Sequence, residues 1–469
     1  MMDPLDDAIR EGIHDAKVVP IREAGKRDLT QDGLALQLGD EWANDARHVA
    51  PWNRWLFFDG TTWRLDEKLE HMTRARDFLR GIAVDLPTED EGARKALRKA
   101  DTVAKIVSLA RSNVAQAASV AQWDADPWVL GTPEGTVDLT TGQLRPALPE
   151  DYITKRTAVA PAPKGKVPKL WLRHLGRITG GNTELIDYHQ RLFGYCLTGS
   201  IREHVFPFGY GTGANGKGVT LNTEKEILGD YAVSIGTEML MVNHNEAHPT
   251  ELARLRGVRL AIGSETEEGK RWAEAKIKRL TGGDPIAARF MRQDFFEFNP
   301  TFKLFVIGNH RPSLRGVDEA MRRRLHLVPF TVTIPEEERD DELPEKLRAE
   351  WPAILRWGID GCLAWQRDGL RPPEIIRAAT DSYLDSEDAF SLWVEECADL
   401  DPNAWSRTRD LFASWKAWAE RSGEYVGSEK RLRSLMEERG FTPQRQGGTG
   451  RTGYRGMRLV DDAEHGGRP

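Results

Sequence analysis

The sequence predicts an α/β fold: a layered core around a phosphate-binding loop, preceded by a mixed α+β domain and followed by a winged-helix-like domain. Three observations lead there. From His204 to Phe330 short apolar strands alternate with amphipathic stretches, as a sheet covered by helices requires. Within that alternation FGYGTGANGKGVT sets Gly211, Gly216 and Lys217 in a G-x-x-x-x-G-K frame, between an apolar strand candidate and a helix ending at Gly229. After Ala378, helical stretches are followed by the short strands TPQRQ and YRGMRLV, the order of a winged helix.

The 469 residues exceed what one core normally holds, so several domains are expected. With 39% hydrophobic residues and 15 Trp the chain can build real cores, and 30% charged residues keep it globular rather than disordered. A net charge of −7 argues against a protein that coats nucleic acid by bulk attraction, though local basic patches stay open. Cys196, Cys362 and Cys397 lie too far apart in sequence for a disulfide framework or a zinc finger. No apolar run approaches a bilayer span and the start MMDPLDDAIREG lacks signal-peptide order, so a cytoplasmic protein without membrane contact is expected.

In chain order, residues 1–40 read as a polar tail that orders only against a partner. An amino-terminal domain follows at 41–160. It opens with WNRWLFFDGTTW, two strands around Asp59-Gly60, continues with helical spacing from Met72 to Val120, and closes on the strand-rich DPWVLGTPEGTVDLTTGQL. The Pro- and Lys-rich PAPKGKVPK at 161–169 reads as a linker. The core spans 170–335, a helical extension 336–375, and the winged-helix-like region 378–460.

The candidate phosphate-binding residues are Gly211, Thr212, Gly213, Ala214, Asn215, Gly216, Lys217, Gly218 and Val219. Glycines let consecutive backbone N–H groups converge on phosphate oxygens, the helix start adds positive potential, and Lys217 neutralises the outer phosphates. Gly218 stands where Ser or Thr usually ligates Mg²⁺, and Thr220 faces elsewhere on the helix. Pro207 removes a ladder donor from the preceding strand. The strand Val258 to Ile262 leads to Glu265 and Glu267, placed either to hold Mg²⁺ and the attacking water or simply as loop charges. FKLFVIGN ends in Asn309, which can hold the lytic water and is also an ordinary strand-ending residue. Arg322, Arg323 and Arg324 precede another apolar strand, where an arginine finger for a neighbour's nucleotide would sit.

Taken together, GTGANGKG, RLAIGSETEEG, IKRLTGGDPIAARFM, FKLFVIGNH and DEAMRRRLHLVPF resemble the superfamily 3 helicases. The closest likeness is to phage and plasmid primase-helicases with a poxvirus-type amino-terminal region, a likeness that WNRWLFFDGTTW and GTVDLTTGQL extend. The resemblance implies an AAA+-like core, a ring that is commonly a hexamer, and ATP with Mg²⁺ between subunits. It makes Lys217 a phosphate ligand, Glu265 the metal residue, Glu267 its companion, Asn309 a sensor, and Arg323 or Arg324 the finger. It also places Lys278, Arg289, Arg292 and Lys303 in the DNA-contacting hairpin region. Too few residues precede the Trp-rich segment for a polymerising domain, so a primase would be a separate partner. The basic run Arg439, Arg445, Arg451, Arg455 and Arg458 suits duplex or forked DNA, while the partner expected for the whole chain is single-stranded or forked DNA. The expected function is ATP-driven translocation on DNA during phage or plasmid replication. The alternative is an ATP-switched DNA-binding or loader protein with little turnover, and a small-molecule kinase ranks last because it leaves Asn309 and the arginines without roles.

Overall fold

A computed structural model describes residues 28–242, 249–264, 271–290, 294–309, 311–312, 314, 318–386, 388–445 and 452–460. The chain forms two compact units, one of Arg64–Ala121 with the residues before Gly60, the other of Gln122 onward with Gly60–Trp63.

In the first unit, α1 (Gln31–Glu41) starts at Thr30, whose hydroxyl accepts from the Gly33 N–H at 3.1 Å. Leu34, Ala35 and Leu38 of α1 are buried, so residues from 31 onward are helix rather than the expected tail; residues 1–27 lie outside the described part. Next come β1 (Ala46–Val49), β2 (Arg54–Phe58) and β3 (Trp63–Leu65), then α2 (Glu70–Asp85), α3 (Glu91–Leu97), α4 (Ala100–Ala110) and β4 (Ala117–Ala118). The sheet order is β3-β2-β1-β4. Ala75, Leu79, Ile82 and Ala83 of α2, spaced for one helical face, close a core with Trp42, Trp55, Phe57 and Ile106.

The second unit opens with the antiparallel meander β5 (Val129–Thr132), β6 (Gly135–Asp138) and β7 (Gln143–Arg145). Its Leu130, Val137 and Leu139 share a core with Trp171 and Leu175, so the meander packs with the helices after it instead of closing the amino-terminal domain at 160. The expected linker is likewise held in the second unit, with the Ala162 N–H donating to the Pro352 carbonyl at 2.8 Å. Helices α5 (Lys169–Ile178) and α6 (Thr183–Cys196) come next, joined through Gly180-Gly181.

The central sheet is built from β8 (Phe206–Tyr210), β9 (Ala232–Gly236), β10 (Leu260–Ser264), β13 (Lys303–Gly308) and β14 (Leu325–Pro329), in the order β14-β8-β13-β10-β9. Every neighbouring pair is parallel. Between these strands lie α7 (Lys217–Leu228), α8 (Pro249–Ala253), α9 (Glu274–Gly282), the hairpin β11 (Ile286–Ala288) and β12 (Phe296–Phe298), and α10 (Glu319–Arg322). Side chains alternate between the two faces as strand geometry demands. Leu260, Ile262 and Phe305 pack with α6 and with α12 (Trp351–Asp368), which follows α11 (Leu343–Arg348). Phe206, Phe208, Ala261, Leu304 and Val306 pack with α9 and with α13 (Glu374–Ser386). Pro207 is tolerated because β13 pairs with β8 only from Phe208 onward.

The carboxy-terminal region contains α14 (Ala389–Cys397), β15 (Ala398–Asp399), β16 (Trp405–Arg407), α15 (Thr408–Arg421), α16 (Glu429–Glu438), β17 (Thr442–Arg445), β18 (Thr452–Arg455) and β19 (Arg458–Leu459). Its three-stranded sheet has the order β16-β18-β17 over a core of Phe390, Trp393, Trp415, Trp418 and Tyr454. That core starts at α14, not at 378, because α13 belongs to the central sheet: the Leu327 N–H of β14 donates to the Thr380 hydroxyl at 2.9 Å. Cys196, Cys362 and Cys397 are free thiols. Among the described residues no helix is long and apolar enough to cross a membrane.

Candidate functional site

Parallel strands deliver their carboxy-terminal ends to one edge of the sheet, where open α/β sheets bind ligands. Here that edge receives the loop after β8, Ser264 at the end of β10 and Asn309 after β13. The loop is shaped by contacts that only glycine allows. Gly211 has φ +153°, and a Cβ there would stand 2.0 Å from the Phe330 carbonyl oxygen. Gly216 has φ +77°, with Ile178 Cγ2 at 2.5 Å and His174 Cε1 at 2.9 Å from the same hypothetical atom. At Gly213 and Gly218 a Cβ would meet nothing within 4 Å, which leaves the open side of the loop clear.

Buried Asn215 braces the loop from within. Its side-chain NH₂ donates to the Thr212 carbonyl and, at 2.8 Å, to the Phe330 carbonyl, while its Oδ1 accepts from the Lys217 N–H at 3.4 Å. Ala214 adopts φ +59°, a conformation costly for a side-chain-bearing residue, and its carbonyl is held by the Ile334 N–H at 2.8 Å. Val219 is half-buried against the core in the first turn of α7.

Lys217 Nζ donates to the Gly211 carbonyl and to Asn309 Oδ1, both at 2.6 Å. The two motifs that carry these groups lie far apart in sequence and meet at one ammonium. Burial pushes the Lys217 pKa below its ordinary value. An ammonium held on neutral oxygens, at the positive end of α7, is set to exchange them for phosphate oxygens. Thr220 does not replace the hydroxyl missing at Gly218. It is buried, its Oγ1 donates to the Gly216 carbonyl at 3.0 Å and lies 2.9 Å from His174 Nε2. Burial drops His174 to about 4, so the ring is neutral at physiological pH. His174, Phe330 and Ile334 support the loop from afar; nothing in the sequence flagged them, because such contacts have no local pattern.

Glu265, Glu267 and Arg292 fall outside the described residues. Among the described residues no group of three or more His, Cys, Asp or Glu side chains could hold a metal ion.

The three arginines separate. Arg322 pairs with Asp381 and Asp385, each at 2.9 Å. Arg324 Nε donates to the Thr281 hydroxyl at 3.2 Å and its NH1 to the Ala320 carbonyl at 2.9 Å. Arg323 is exposed, with no ion-pair partner among the described residues. All three precede Leu325, which registers with Phe206, whereas the loop follows Tyr210, opposite Pro329. Four residue steps at about 3.3 Å each put them roughly 13 Å from their own loop, at the opposite sheet edge.

Of the remaining positions, Lys278 on α9 is paired with Asp318. Arg289 lies 4.9 Å over the ring of Phe295, which is exposed on the strand side of the hairpin loop. Lys303 corrects the sequence reading, because its side chain is buried and cannot reach DNA. Its ammonium donates to the Thr198 carbonyl and, at 3.4 and 3.3 Å, to those of Ser200 and Thr301. Arg259 beside it donates to the Leu197 carbonyl. Two cations thus cap the carboxy-terminal end of α6. Burial pushes Lys303 down to about 7. Lys303→Met is expected to cost about 2–4 kcal/mol through the unsatisfied carbonyls, read as a lower thermal midpoint. DNA affinity per folded molecule should stay unchanged; weaker DNA binding at unchanged stability would restore the contact role.

In the carboxy-terminal region Arg439 pairs with Asp388 at 2.7 Å, Arg455 Nε donates to the Pro402 carbonyl at 2.8 Å and Arg458 pairs with Asp399 at 3.2 Å. Arg445 lies on exposed β17, and Arg451 is outside the described residues.

Residues 35–180 match the family model described as "D5 N terminal like", and residues 209–324 match a family of unknown function, DUF5906. Frog virus 3 "Putative helicase 022R" is 30% identical over 246 residues, 47% of this chain and 25% of that protein. Mimivirus "Putative helicase L207/L206" is 24% identical over 345 residues, 67% of this chain and 35% of that protein. These matches support a superfamily 3 primase-helicase family of the D5-like kind. Both relatives are named "Putative helicase", and this chain spans 25 to 35% of their length. Among solved structures, the apo C-terminal region of NrS-1 is similar at 10% identity with a TM-score of 0.49, covering 92% of this chain and all of that one.

Proposed function

We propose that the chain is an ATP-dependent DNA helicase of phage or plasmid replication that translocates on single-stranded DNA as a ring, with ATP held between subunits. The observation that carries this reading is Lys217 Nζ bridging the loop carbonyl of Gly211 and Asn309 Oδ1 at the ligand edge of the sheet. Lys217 and the loop N–H groups hold the triphosphate, and Asn309 orients the attacking water or senses the terminal phosphate. Mg²⁺, when bound with the nucleotide, screens phosphate charge; Glu265 and Glu267 are its assigned holders, since Gly218 has no hydroxyl and Thr220 is turned into the core. Arg323 serves as the finger, because Arg322 and Arg324 are already committed.

DNA is gripped by the β11–β12 hairpin with Arg289, Phe290 and Phe295, and by the carboxy-terminal region. The order α14, β16, α15, α16, β17, β18 supports reading that region as a winged helix, with α16 carrying Lys430, Arg431 and Arg433. The protein is assigned to the host cytoplasm. The deciding measurement is ATP hydrolysis with and without single-stranded DNA, alongside native mass with nucleotide. Strong stimulation by DNA and a ring-sized mass are expected; hydrolysis indifferent to DNA by a monomer would overturn the proposal. The engagement of Thr220 with His174 keeps one second reading, an ATP-switched loader, which predicts ATP-dependent assembly on DNA with slow turnover.

A further inference from the structure

The first unit holds a cluster of N–H donors that no acceptor satisfies. His48 on β1 and Trp55 on β2 are cross-strand neighbours, their rings 5.1 Å apart, and they are 5% and 2% exposed. His48 Nε2, Trp55 Nε1 and Arg111 Nε are all buried, and among the described residues none has a hydrogen-bond partner. Buried polar groups are ordinarily paired, so three such atoms in one unit call for an explanation.

The surroundings specify the charge of a fitting partner. Burial, then the positive charge of Arg111 and then His71, holds the His48 imidazole below its ordinary value, against the Asn53 side chain, which raises it. His71 on α2 stacks on Trp55, the ring centroids 6.2 Å apart. The nearby carboxylate, Asp66, is spent: it accepts from the Lys68, Glu70 and His71 N–H groups at 2.8–3.1 Å and contacts His71 Nδ1. A cation would face Arg111 without a free carboxylate, whereas an anion would meet donors and positive charge together. His71 and Arg111 are only partly buried, whereas His48 and Trp55 are buried.

We infer that His48, Trp55 and Arg111 form an oxyanion site that takes a phosphate-type group through their N–H donors, with His71 stacked on Trp55. A charge-assisted hydrogen bond from a guanidinium suits a phosphate oxygen, an imidazole N–H can add a second, and the indole N–H adds a donor that cannot serve a metal. The phosphate belongs either to a free small molecule or to the end of a nucleic acid strand. The site lies in the first unit and stands independently of the motor activity proposed above.

The test uses the full chain carrying Lys217→Ala, so that the loop after β8 does not compete for phosphate. Tryptophan indole N–H signals are followed by NMR, with Trp55 assigned through Trp55→Phe, which keeps an aromatic ring. The Trp55 signal is expected to move downfield and saturate with inorganic phosphate or with a 5′-phosphorylated oligonucleotide. Response to the phosphorylated oligonucleotide alone assigns the group to a strand end; response to both makes free phosphate sufficient. Arg111→Gln, at a partly exposed position, should weaken the effect about tenfold or more, equivalent to one charge-assisted hydrogen bond. Three results overturn the site: a Trp55 signal unmoved by either ligand, one that responds to Zn²⁺ instead, or an equal response to the unphosphorylated oligonucleotide. Unchanged affinity in Arg111→Gln, with the fold intact by thermal midpoint, does the same.

Discussion

Lys217→Ala should lower DNA-stimulated ATP hydrolysis by about a hundredfold or more, the cost of losing one preorganised charge-stabilising donor. The ammonium does two things at once. It neutralises the outer phosphates, and it ties the loop to Asn309, the group that ends β13. Removing it leaves the Asn309 side chain without its donor and the Gly211 carbonyl unpaired at the open edge. Asn309→Ala separates the two roles, since it should keep nucleotide binding while losing hydrolysis. Phosphate release with saturating single-stranded DNA, beside binding of a fluorescent nucleotide, reads both variants. A Lys217→Ala protein that is properly folded yet hydrolyses within a few-fold of the parent would end the phosphate-site assignment.

What the sequence disclosed tracks the range of the forces involved. The loop and its strand and helix are legible because glycine spacing and apolar runs are local, and α7 ends at Leu228, just before Gly229, as expected. The strand before Glu265 starts two residues later than the apolar run from Val258 suggests. Val258 looks like a strand residue, but its N–H closes a turn onto the Leu255 carbonyl and β10 starts at Leu260. Lys303 departs from its sequence pattern for a related reason. A lysine opening a strand is normally a surface residue, and only the distant end of α6 supplies the carbonyls that bury it. The segment 161–169 has a linker's composition, and its tie to Pro352 is a contact no local pattern encodes. In α1, Leu34 and Leu38 show helical spacing, yet the polar residues around them hid a face that packs on Trp42.

Arg323→Ala should lower hydrolysis by about a thousandfold, as removal of an arginine finger does, while leaving nucleotide binding at the same protomer's loop intact. Geometry forbids the residue from acting on its own nucleotide, because it precedes β14 at the sheet edge opposite the loop. It can act only across an interface. Two inactive proteins, Lys217→Ala and Arg323→Ala, should therefore rescue each other on mixing: an intact loop from one would meet an intact finger from the other. With random assembly of equal amounts, about a quarter of the sites are complete, and hydrolysis should return in proportion if sites fire independently. Arg324→Ala differs in kind, since it removes bonds to Thr281 and Ala320 within one protomer and should lower the thermal midpoint first. Native mass must show that the two variants do exchange into mixed assemblies. If they do and no activity returns, Arg323 is not the group delivered in trans, and the shared nucleotide site loses its main chemical support.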